Sequence, residues 1–320
     1  MDEKTVLEIV QRIADLLAEK YVFPDLGRQV ADHLRQRLVD GGIAPTLSPP
    51  ELAAVLTETF SSLTHDSHLR LDHDPARASG GDDIEELMRR HFEGARRNNF
   101  GFIKAERLAG NIGYLLIREF PPTEVAMTIA IGAMAFVANT QALIFDIRGH
   151  KGGSPEMIQL LISYLVNEEP QPLTGIYSRA TDQIETYQTL TEIPGKRMPD
   201  VPVYILVDQQ THSAAEAFAY DLQALKRATI IGERTRGGAH LVDFIPMNDM
   251  FVLMLPIARA VNPITGGNWQ GTGVKPDVEV SPEETLRTAH MGALHELLAS
   301  AKDANEKAFL QAEMETLQSY

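Results

Sequence analysis

The sequence predicts a mixed α/β protein that begins with a small helical bundle. Three observations support this fold class. Apolar residues recur at helical spacing over roughly the first 65 residues, short apolar runs alternate with amphipathic helical patterns after Gly110, and the stretch between these regions is polar and contains glycine. A chain of 320 residues, 44% of them hydrophobic, is long enough for about two domains with a full core.

The first part of the chain predicts three helices. A turn at residues 22–24 separates two segments with apolar residues every three or four positions. These residues are Val6, Ile9, Ile13, Leu17, Val30, Leu34 and Leu38. A third helical pattern covers 50–63, where Ser48 is a candidate N-cap and a proline occupies the first turn. We therefore predict an N-terminal helical bundle over residues 1–72.

The remainder predicts a connector over 73–110, with one helix at 82–93, and an α/β core over 111–320. Strands are predicted at 112–117, 142–147, 176–180, 201–207, 228–231 and 251–257. Helices are predicted at 124–139, at 155–166, from Ser213 onward and at the C-terminus. This alternation is typical of a mixed layer with buried central strands.

Charge and composition exclude several classes of function. The chain has 44 Asp and Glu against 29 Lys and Arg, a net charge of −15, and its basic residues are dispersed, which argues against nucleic-acid binding. It has no cysteine, so disulfides, thiolate nucleophiles and cysteine-ligated zinc are excluded. The start, MDEKTVLEIV, lacks the features of a secretory signal, and no window approaches the ~18 apolar residues of a membrane span. We expect a cytoplasmic protein by default, or an exported one if a signal was removed before numbering.

A serine opens the helix that follows the predicted strand 201–207. A hydroxyl at this position would lie at the carboxyl edge of the sheet and at the positive end of a helix dipole, where an oxyanion is stabilised. Ser213-x-x-Glu216 is also a capping box, in which each side chain binds the other residue's N–H. The pattern alone favours capping, because capping boxes are common and nucleophiles are rare.

The segment Asp146-Ile-Arg-Gly-His-Lys-Gly-Gly also follows a buried strand and precedes a helix. Its glycines allow a tight turn whose N–H groups converge, which suits an oxyanion hole or a phosphate. No Gly-Lys-Ser/Thr follows, so a nucleotide-binding loop is not predicted. An ordinary strand-to-helix turn is the alternative.

Histidines and acidic residues cluster between His65 and Asp74, at the end of the bundle. Their spacing fits no standard zinc pattern, so no metal site is predicted. A single histidine base, His68, oriented by Ser67 or by a carboxylate, is more economical. A capped and solvated helix end is the structural alternative. A further glycine-rich loop, at 262–278, contains the lone Trp269 and either borders a site or closes a corner of the domain.

Taken in order, these segments resemble the tail-specific, or C-terminal processing, serine peptidase family, in the branch of the interphotoreceptor retinoid-binding protein modules and the tricorn-type peptidases. The resemblance is carried by Tyr21-Val-Phe-Pro, Asp66-Ser-His-Leu, Gly110-Asn-Ile-Gly-Tyr-Leu, Asp146-Ile-Arg-Gly-His-Lys-Gly-Gly, Thr211-His-Ser-Ala-Ala-Glu, Gly232-Glu-Arg-Thr-Arg-Gly-Gly and Gly273-Val-Lys-Pro-Asp. It implies a crotonase- or ClpP-like core of ββα units. It implies no PDZ domain, for which residues 75–110 leave no room.

The resemblance also implies roles for individual residues. Ser213 corresponds to the nucleophile and His68 to the general base. An N–H of the Gly152/Gly153 turn and the N–H of Ala214 correspond to the oxyanion hole.

Two positions depart from the family pattern. Gly238 stands where the processing peptidases carry a general-base lysine, which excludes a Ser–Lys dyad at that position. Gln270 stands where the histidine branch normally has the glutamate of its triad. A neutral amide can orient the His68 ring, with Ser67 as a further aid, but it does not stabilise imidazolium as a carboxylate does.

The leading hypothesis is therefore a serine-type peptidase that acts on peptides or unfolded proteins through an acyl-enzyme, weakened by Gln270, with no cofactor and no metal. The alternative is a catalytically degenerate module that binds an apolar, retinoid- or lipid-like ligand. A scaffold role has no positive sequence signal, and the sequence does not predict an oligomeric state.

Overall fold

The computed structural model describes residues 1–44, 46–78 and 93–318. The helices are α1 (Glu3–Lys20), α2 (Pro24–Val39), α3 (Pro49–Thr64), α4 (Pro75–Ala78), α5 (Thr123–Val137), α6 (Pro155–Ser163), α7 (Ala214–Ala224), α8 (Thr285–Ser300) and α9 (Ala304–Gln318). The strands are β1 (Arg70–His73), β2 (Phe102–Leu108), β3 (Ile112–Ile117), β4 (Ala142–Asp146), β5 (Pro172–Ser178), β6 (Gln183–Gln188), β7 (Val203–Val207), β8 (Thr229–Gly232), β9 (His240–Pro246), β10 (Phe251–Val261) and β11 (Val278–Glu279). The predicted helix at 82–93 falls, apart from Glu93, outside the described residues.

The chain forms two compact units that are not contiguous in sequence. The first contains Met1–Arg90, Gly175–Glu185 and His240–Val261. The second contains His91–Thr174, Thr186–Ala239 and Asn262–Tyr320. The domain boundaries predicted at residues 72 and 110 stay a prediction.

The first unit contains the three predicted helices, which bury their apolar stripes. Asp2 caps α1 by accepting a hydrogen bond from the Thr5 N–H at 2.7 Å, and prolines occupy the first turns of α2 and α3. The helices share one hydrophobic cluster with Phe251, Leu253 and Leu255 of β10. Strand β10 pairs antiparallel with β1, β5 and β9, so a sheet forms one wall of this core.

The second unit contains a six-stranded sheet in the order β11-β8-β7-β4-β3-β2. Its strands pair in parallel except for β2, which is antiparallel to β3. Helix α8 buries Ala289, Ala293 and Leu294 in one cluster with residues of β3, β4 and β7. Because β4, β7 and β8 are parallel neighbours, their carboxyl ends lie side by side at one edge of the sheet.

The buried strands were predictable and the exposed ones were not. The predicted strands are confirmed as β3, β4, β5, β7, β8 and β10, with ends shifted by a few residues. Strand β2 lies in the predicted connector, and β6 and β9 were also missed. Most of their residues are exposed, and charged or polar residues interrupt their apolar positions, so these strands form no continuous apolar run. Across the described ranges, no helix combines the length and apolar character needed to cross a membrane.

Candidate functional site

Three loops follow the adjacent strands β4, β7 and β8 in the second unit, and backbone hydrogen bonds join them. The His212 N–H donates to the His150 carbonyl at 2.9 Å, which joins the loop after β7 to the loop after β4. The Arg236 N–H donates to the Thr211 carbonyl at 3.1 Å, which joins the loop after β8 to the same segment. Carboxyl ends of neighbouring parallel strands are the usual place for a ligand site in an open α/β sheet.

Ser213 lies in the middle loop with a strained backbone. Its φ of 60° and ψ of −125° are unusual for a residue with a side chain, and such conformations cost about 1–3 kcal/mol. The Ser213 N–H donates to the Glu216 carboxylate at 2.8 Å, whereas the Glu216 N–H donates to the Ser213 carbonyl rather than to its hydroxyl. The Ser213 and Glu216 pair of the predicted capping box is present, but the Ser213 hydroxyl makes no capping hydrogen bond to the helix.

Glu216 ties the start of α7 to the loop after β8. Its buried carboxylate accepts from the Thr235 hydroxyl at 2.6 Å and from the N–H groups of Gly237 and Gly238 at 2.6 and 2.9 Å. Burial raises the pKa of Glu216 despite these hydrogen bonds. The same carboxylate also holds the Ser213 N–H, so Glu216 fixes the backbone that carries the hydroxyl.

The Gly152/Gly153 turn packs directly against Ser213. Gly152 has a φ of +105°, and a Cβ at this position would lie 2.8 Å from the Ser213 Cβ. The Gly152 N–H already donates to His150 Nδ1 at 2.9 Å. The N–H groups of Gly153 and Ala214 donate to no residue within the described part of the chain. Of the two amides that the turn could contribute to an oxyanion hole, the geometry leaves that of Gly153.

His150 fixes the form of this turn, and sequence analysis did not single it out. Its side chain is fully buried, with its ring 4.2 Å from that of Phe120. Burial, with the nearby positive charge of Arg118, lowers the pKa of His150 to about 3, so the ring is neutral at pH 7. Because Nδ1 accepts the Gly152 N–H, we place the ring proton on Nε2.

Gly238 and Gln270 lie in the same unit. A Cβ at Gly238 would lie 2.1 Å from Nε2 of His212, so this imidazole occupies the space that a side chain at position 238 would need. Gln270 Oε1 accepts from the Ala239 N–H at 2.7 Å, and the Trp269 indole donates to the Gly238 carbonyl at 2.9 Å. The suggested orientation of His68 by Gln270 stays a prediction.

His68 belongs to the first unit, in the segment that follows α3. His65 ends the helix in a left-handed conformation, after which the Asp66 carboxylate turns inward and is buried. His68 Nδ1 lies 3.5 Å from Asp66 Oδ1, and the backbone N–H of His68 donates to the same oxygen at 3.0 Å. His240 Nδ1 lies 2.8 Å from Asp66 Oδ2, which also accepts from the Tyr21 hydroxyl at 3.1 Å.

Asp66 is the carboxylate that lies beside the His68 ring. Burial acts to raise the pKa of Asp66, but hydrogen bonds from His240 and His68 outweigh it and hold that pKa well below its usual range. Asp66 is therefore an ionised carboxylate beside the imidazole. Ser67 is exposed and hydrogen-bonds to no residue that the structure describes, and the role suggested for it stays a prediction. The sequence pointed to a carboxylate here but did not indicate which one.

Comparison with known proteins gives two matches to family models. The model described as peptidase family S41 matches residues 111–280. The model described as the N-terminal domain of Peptidase_S41 in eukaryotic IRBP matches residues 3–91. Together they cover 259 of the 320 residues.

Individual relatives and structures agree with these matches. The carboxy-terminal processing protease CtpB of Bacillus subtilis is 25% identical over 141 residues, 44% of this chain and 28% of that protein. The carboxyl-terminal-processing protease of Picosynechococcus sp. is 25% identical over 197 residues, 59% of this chain and 43% of that protein. The chain thus matches less than half the length of either relative.

Solved structures share the fold over most of the chain. A protein from Parabacteroides merdae has a TM-score of 0.65 at 19% identity, covering 95% of this chain and all of that one. The photosystem II D1 C-terminal processing protease has a TM-score of 0.57 at 17% identity, covering 88% of this chain and 93% of that one. These similarities confirm the predicted fold class.

Proposed function

Because the chain belongs to peptidase family S41, we propose that it is a serine-type peptidase that cleaves peptide bonds through an acyl-enzyme. The observation that carries the proposal is the geometry around Ser213. A strained residue opens a helix, its hydroxyl does not serve as a cap, and the N–H groups of Gly153 and Ala214 are uncommitted beside it. The curated relatives are named as carboxy-terminal processing proteases, which supports a peptide or protein substrate.

In the proposed reaction, Ser213 Oγ attacks the carbonyl carbon of the substrate while Nε2 of His68 takes its proton. The Gly153 and Ala214 N–H groups donate to the oxyanion, and His68 then returns the proton to the leaving amine. Water hydrolyses the acyl-enzyme by the same steps.

Asp66 supports the histidine's role as base. The substitution of Gln270 for the expected glutamate removes a charge that would stabilise imidazolium. A buried, ionised carboxylate already lies 3.5 Å from His68 Nδ1, in the position where an orienting carboxylate acts in a serine triad. The proposed catalytic set is therefore Ser213, His68 and Asp66.

Labelling by a fluorophosphonate probe tests the proposal. We expect the wild-type protein to be labelled and to cleave unfolded casein, and Ser213→Ala to do neither. Ser67→Ala is the matched control, because Ser67 is an exposed serine beside the proposed base. Absence of labelling and cleavage in the wild-type protein would contradict the proposed peptidase activity and favour the apolar-ligand alternative. Saturable quenching of Trp269 fluorescence by retinol or a fatty acid would then support that alternative.

A further inference from the structure

The Asp66, His68 and His240 side chains form a compact cluster inside the first unit. One ligand-type atom from each lies within 4.8 Å of the other two. Asp66 and the His240 side chain are each 3% exposed and that of His68 is 15% exposed, so the cluster is sheltered with its most open side at His68. We propose that these three residues form an inhibitory binding site for a zinc-type divalent cation.

The donor set matches zinc rather than calcium or magnesium. Two imidazoles and one carboxylate, with water in the fourth position, are a known arrangement for Zn²⁺, whereas Ca²⁺ and Mg²⁺ prefer oxygen ligands throughout. Metal–ligand bonds of roughly 2.0–2.2 Å place ligands of a tetrahedral site about 3.3 Å apart. The separations of 2.8 Å between Asp66 Oδ2 and His240 Nδ1 and of 3.5 Å between Asp66 Oδ1 and His68 Nδ1 lie on either side of that value, and either carboxylate oxygen can serve as the ligand. Small shifts of the three side chains would therefore admit the ion.

Neighbouring groups already hold the carboxylate in place. The Tyr21 hydroxyl donates to Asp66 Oδ2 at 3.1 Å, and the His68 N–H donates to Oδ1 at 3.0 Å. Hydrogen bonds of this kind orient the ligands of metal sites and tune their affinity.

The inhibitory effect rests on the proposed function, because it acts through His68. A neutral imidazole carries one proton, so a metal ion bound at Nδ1 leaves that proton on Nε2. In the neutral His68 ring, the proton on Nδ1 moves to Nε2 when the metal ion replaces the hydrogen bond between Nδ1 and Asp66. The ring is not oxidised and loses no proton overall. Nε2 then has no lone pair for the Ser213 proton. Bound metal would switch off the base and its removal would restore it.

The sequence could not show this cluster. His65 to Asp74 fit no zinc spacing, and the third ligand, His240, lies 174 residues after Asp66. The fold brings it close because β9, which His240 opens, pairs with β10, and β10 pairs with β1 directly after His68.

Metal binding is measured directly on the full, metal-free chain. We expect saturable binding of Zn²⁺ by calorimetry, and a visible absorption spectrum of tetrahedral Co²⁺. His240→Gln should weaken binding by more than about 100-fold, and Tyr21→Phe by about 10- to 100-fold. His33→Gln, which alters an exposed histidine on α2, is the matched control and should bind as wild type. No saturable binding by the wild-type chain, or equal binding by His240→Gln, would overturn the site.

A second measurement addresses inhibition. We expect Zn²⁺ to suppress probe labelling of Ser213 in the wild-type chain and a chelator to restore it. The labelling rate of His240→Gln, measured without metal as that variant's own reference, should not change when Zn²⁺ is added. Equal inhibition of His240→Gln would overturn the proposed route through the cluster. If the protein is never labelled, the proposed function fails, while the cobalt spectrum still decides whether the site exists.

Discussion

Asp66 supplies the negative charge on which the proposed base depends. Its carboxylate is buried, ionised and shared between two imidazoles and a tyrosine hydroxyl. An isolated buried charge would be costly, but hydrogen bonds from these partners compensate for its lost hydration. The charge that Gln270 fails to provide is thus present at another position.

We predict that Asp66→Asn lowers kcat for peptide hydrolysis by about 10⁴-fold, as neutralising the carboxylate does in a serine triad. An amide lacks the charge that stabilises imidazolium and does not select the required tautomer. Steady-state kinetics on a peptide substrate measures this. Asp72→Asn is the control, because that carboxylate is partly exposed and pairs with Arg70. Retention of more than about a tenth of the wild-type kcat by Asp66→Asn would contradict the role assigned to Asp66.

The buried ring of His150 leads to a second prediction, which concerns how the free energy of unfolding depends on pH. Its pKa is about 3 in the folded protein against an ordinary value of 6.5. Between these values the unfolded chain binds a proton that the folded protein does not, so acidification favours unfolding. The contribution of His150 to the free energy of unfolding is fully present above pH 6.5. It falls by about 1.4 kcal/mol per pH unit as the pH drops toward 3.

The comparison variant is His150→Asn, whose side-chain oxygen can replace Nδ1 as acceptor for the Gly152 N–H. We expect the free energy of unfolding of the wild type, minus that of the variant, to rise with pH between about 4 and 6.5. Urea denaturation across this range measures the difference. Parallel curves would mean that the ring is not held neutral by its surroundings.

At the scale of elements, the loop after β4 is shaped by glycines with different surroundings. Gly149 and Gly152 both have positive φ, at +68° and +105°. A Cβ at Gly149 would meet only Gln210 Oε1 at 3.9 Å, whereas one at Gly152 would lie 2.8 Å from the Ser213 Cβ and 3.1 Å from the Ala214 nitrogen. Of these two glycines, only Gly152 packs against the proposed nucleophile.

We predict that Gly152→Ala abolishes probe labelling and lowers the free energy of unfolding by about 1–3 kcal/mol, because the methyl group displaces the start of α7. Gly149→Ala is the matched control, which incurs a similar backbone strain and keeps its labelling. Labelling and thermal unfolding of the two variants give both quantities. Normal labelling of Gly152→Ala would show that the turn does not position Ser213.

At the scale of the whole molecule, the first unit depends on distant parts of the chain. Its helices bury apolar residues in the same cluster as Phe251, Leu253 and Leu255. The 22-residue segment His240–Val261 therefore supplies a wall of the core, although it lies far from the helices in sequence.

We predict that a fragment of residues 1–90 does not unfold cooperatively by itself, since removing the β10 wall exposes the apolar faces of its helices. Thermal unfolding followed by circular dichroism measures this, with the full chain as the reference. Addition of a synthetic peptide covering 240–261 should increase the helical signal. A sharp, cooperative transition of the fragment alone would contradict the shared core.

The sequence by itself determined the elements whose signals are local. Apolar spacing in α1 and the apolar runs of β4 and β7 report burial directly, because a helix or a central strand must hide one face or both. Ser213 and the turn at 152–153 could also be found, since a strand, a glycine-rich or polar loop and a helix follow one another in the chain.

Only the tertiary structure decided how distant groups combine. Strand β6 is exposed and leaves no apolar run, and the contact between Asp66 and His240 depends on the pairing of β9, β10 and β1. The Gly152 N–H donates to His150, so only the Gly153 N–H of this turn is left for an oxyanion hole. Hydrogen-bond geometry within the turn decides this. Such contacts join residues that are far apart in the sequence, or distinguish two neighbouring glycines. They depend on packing and on which hydrogen-bond partners meet in the folded chain, and residue spacing carries no information about either.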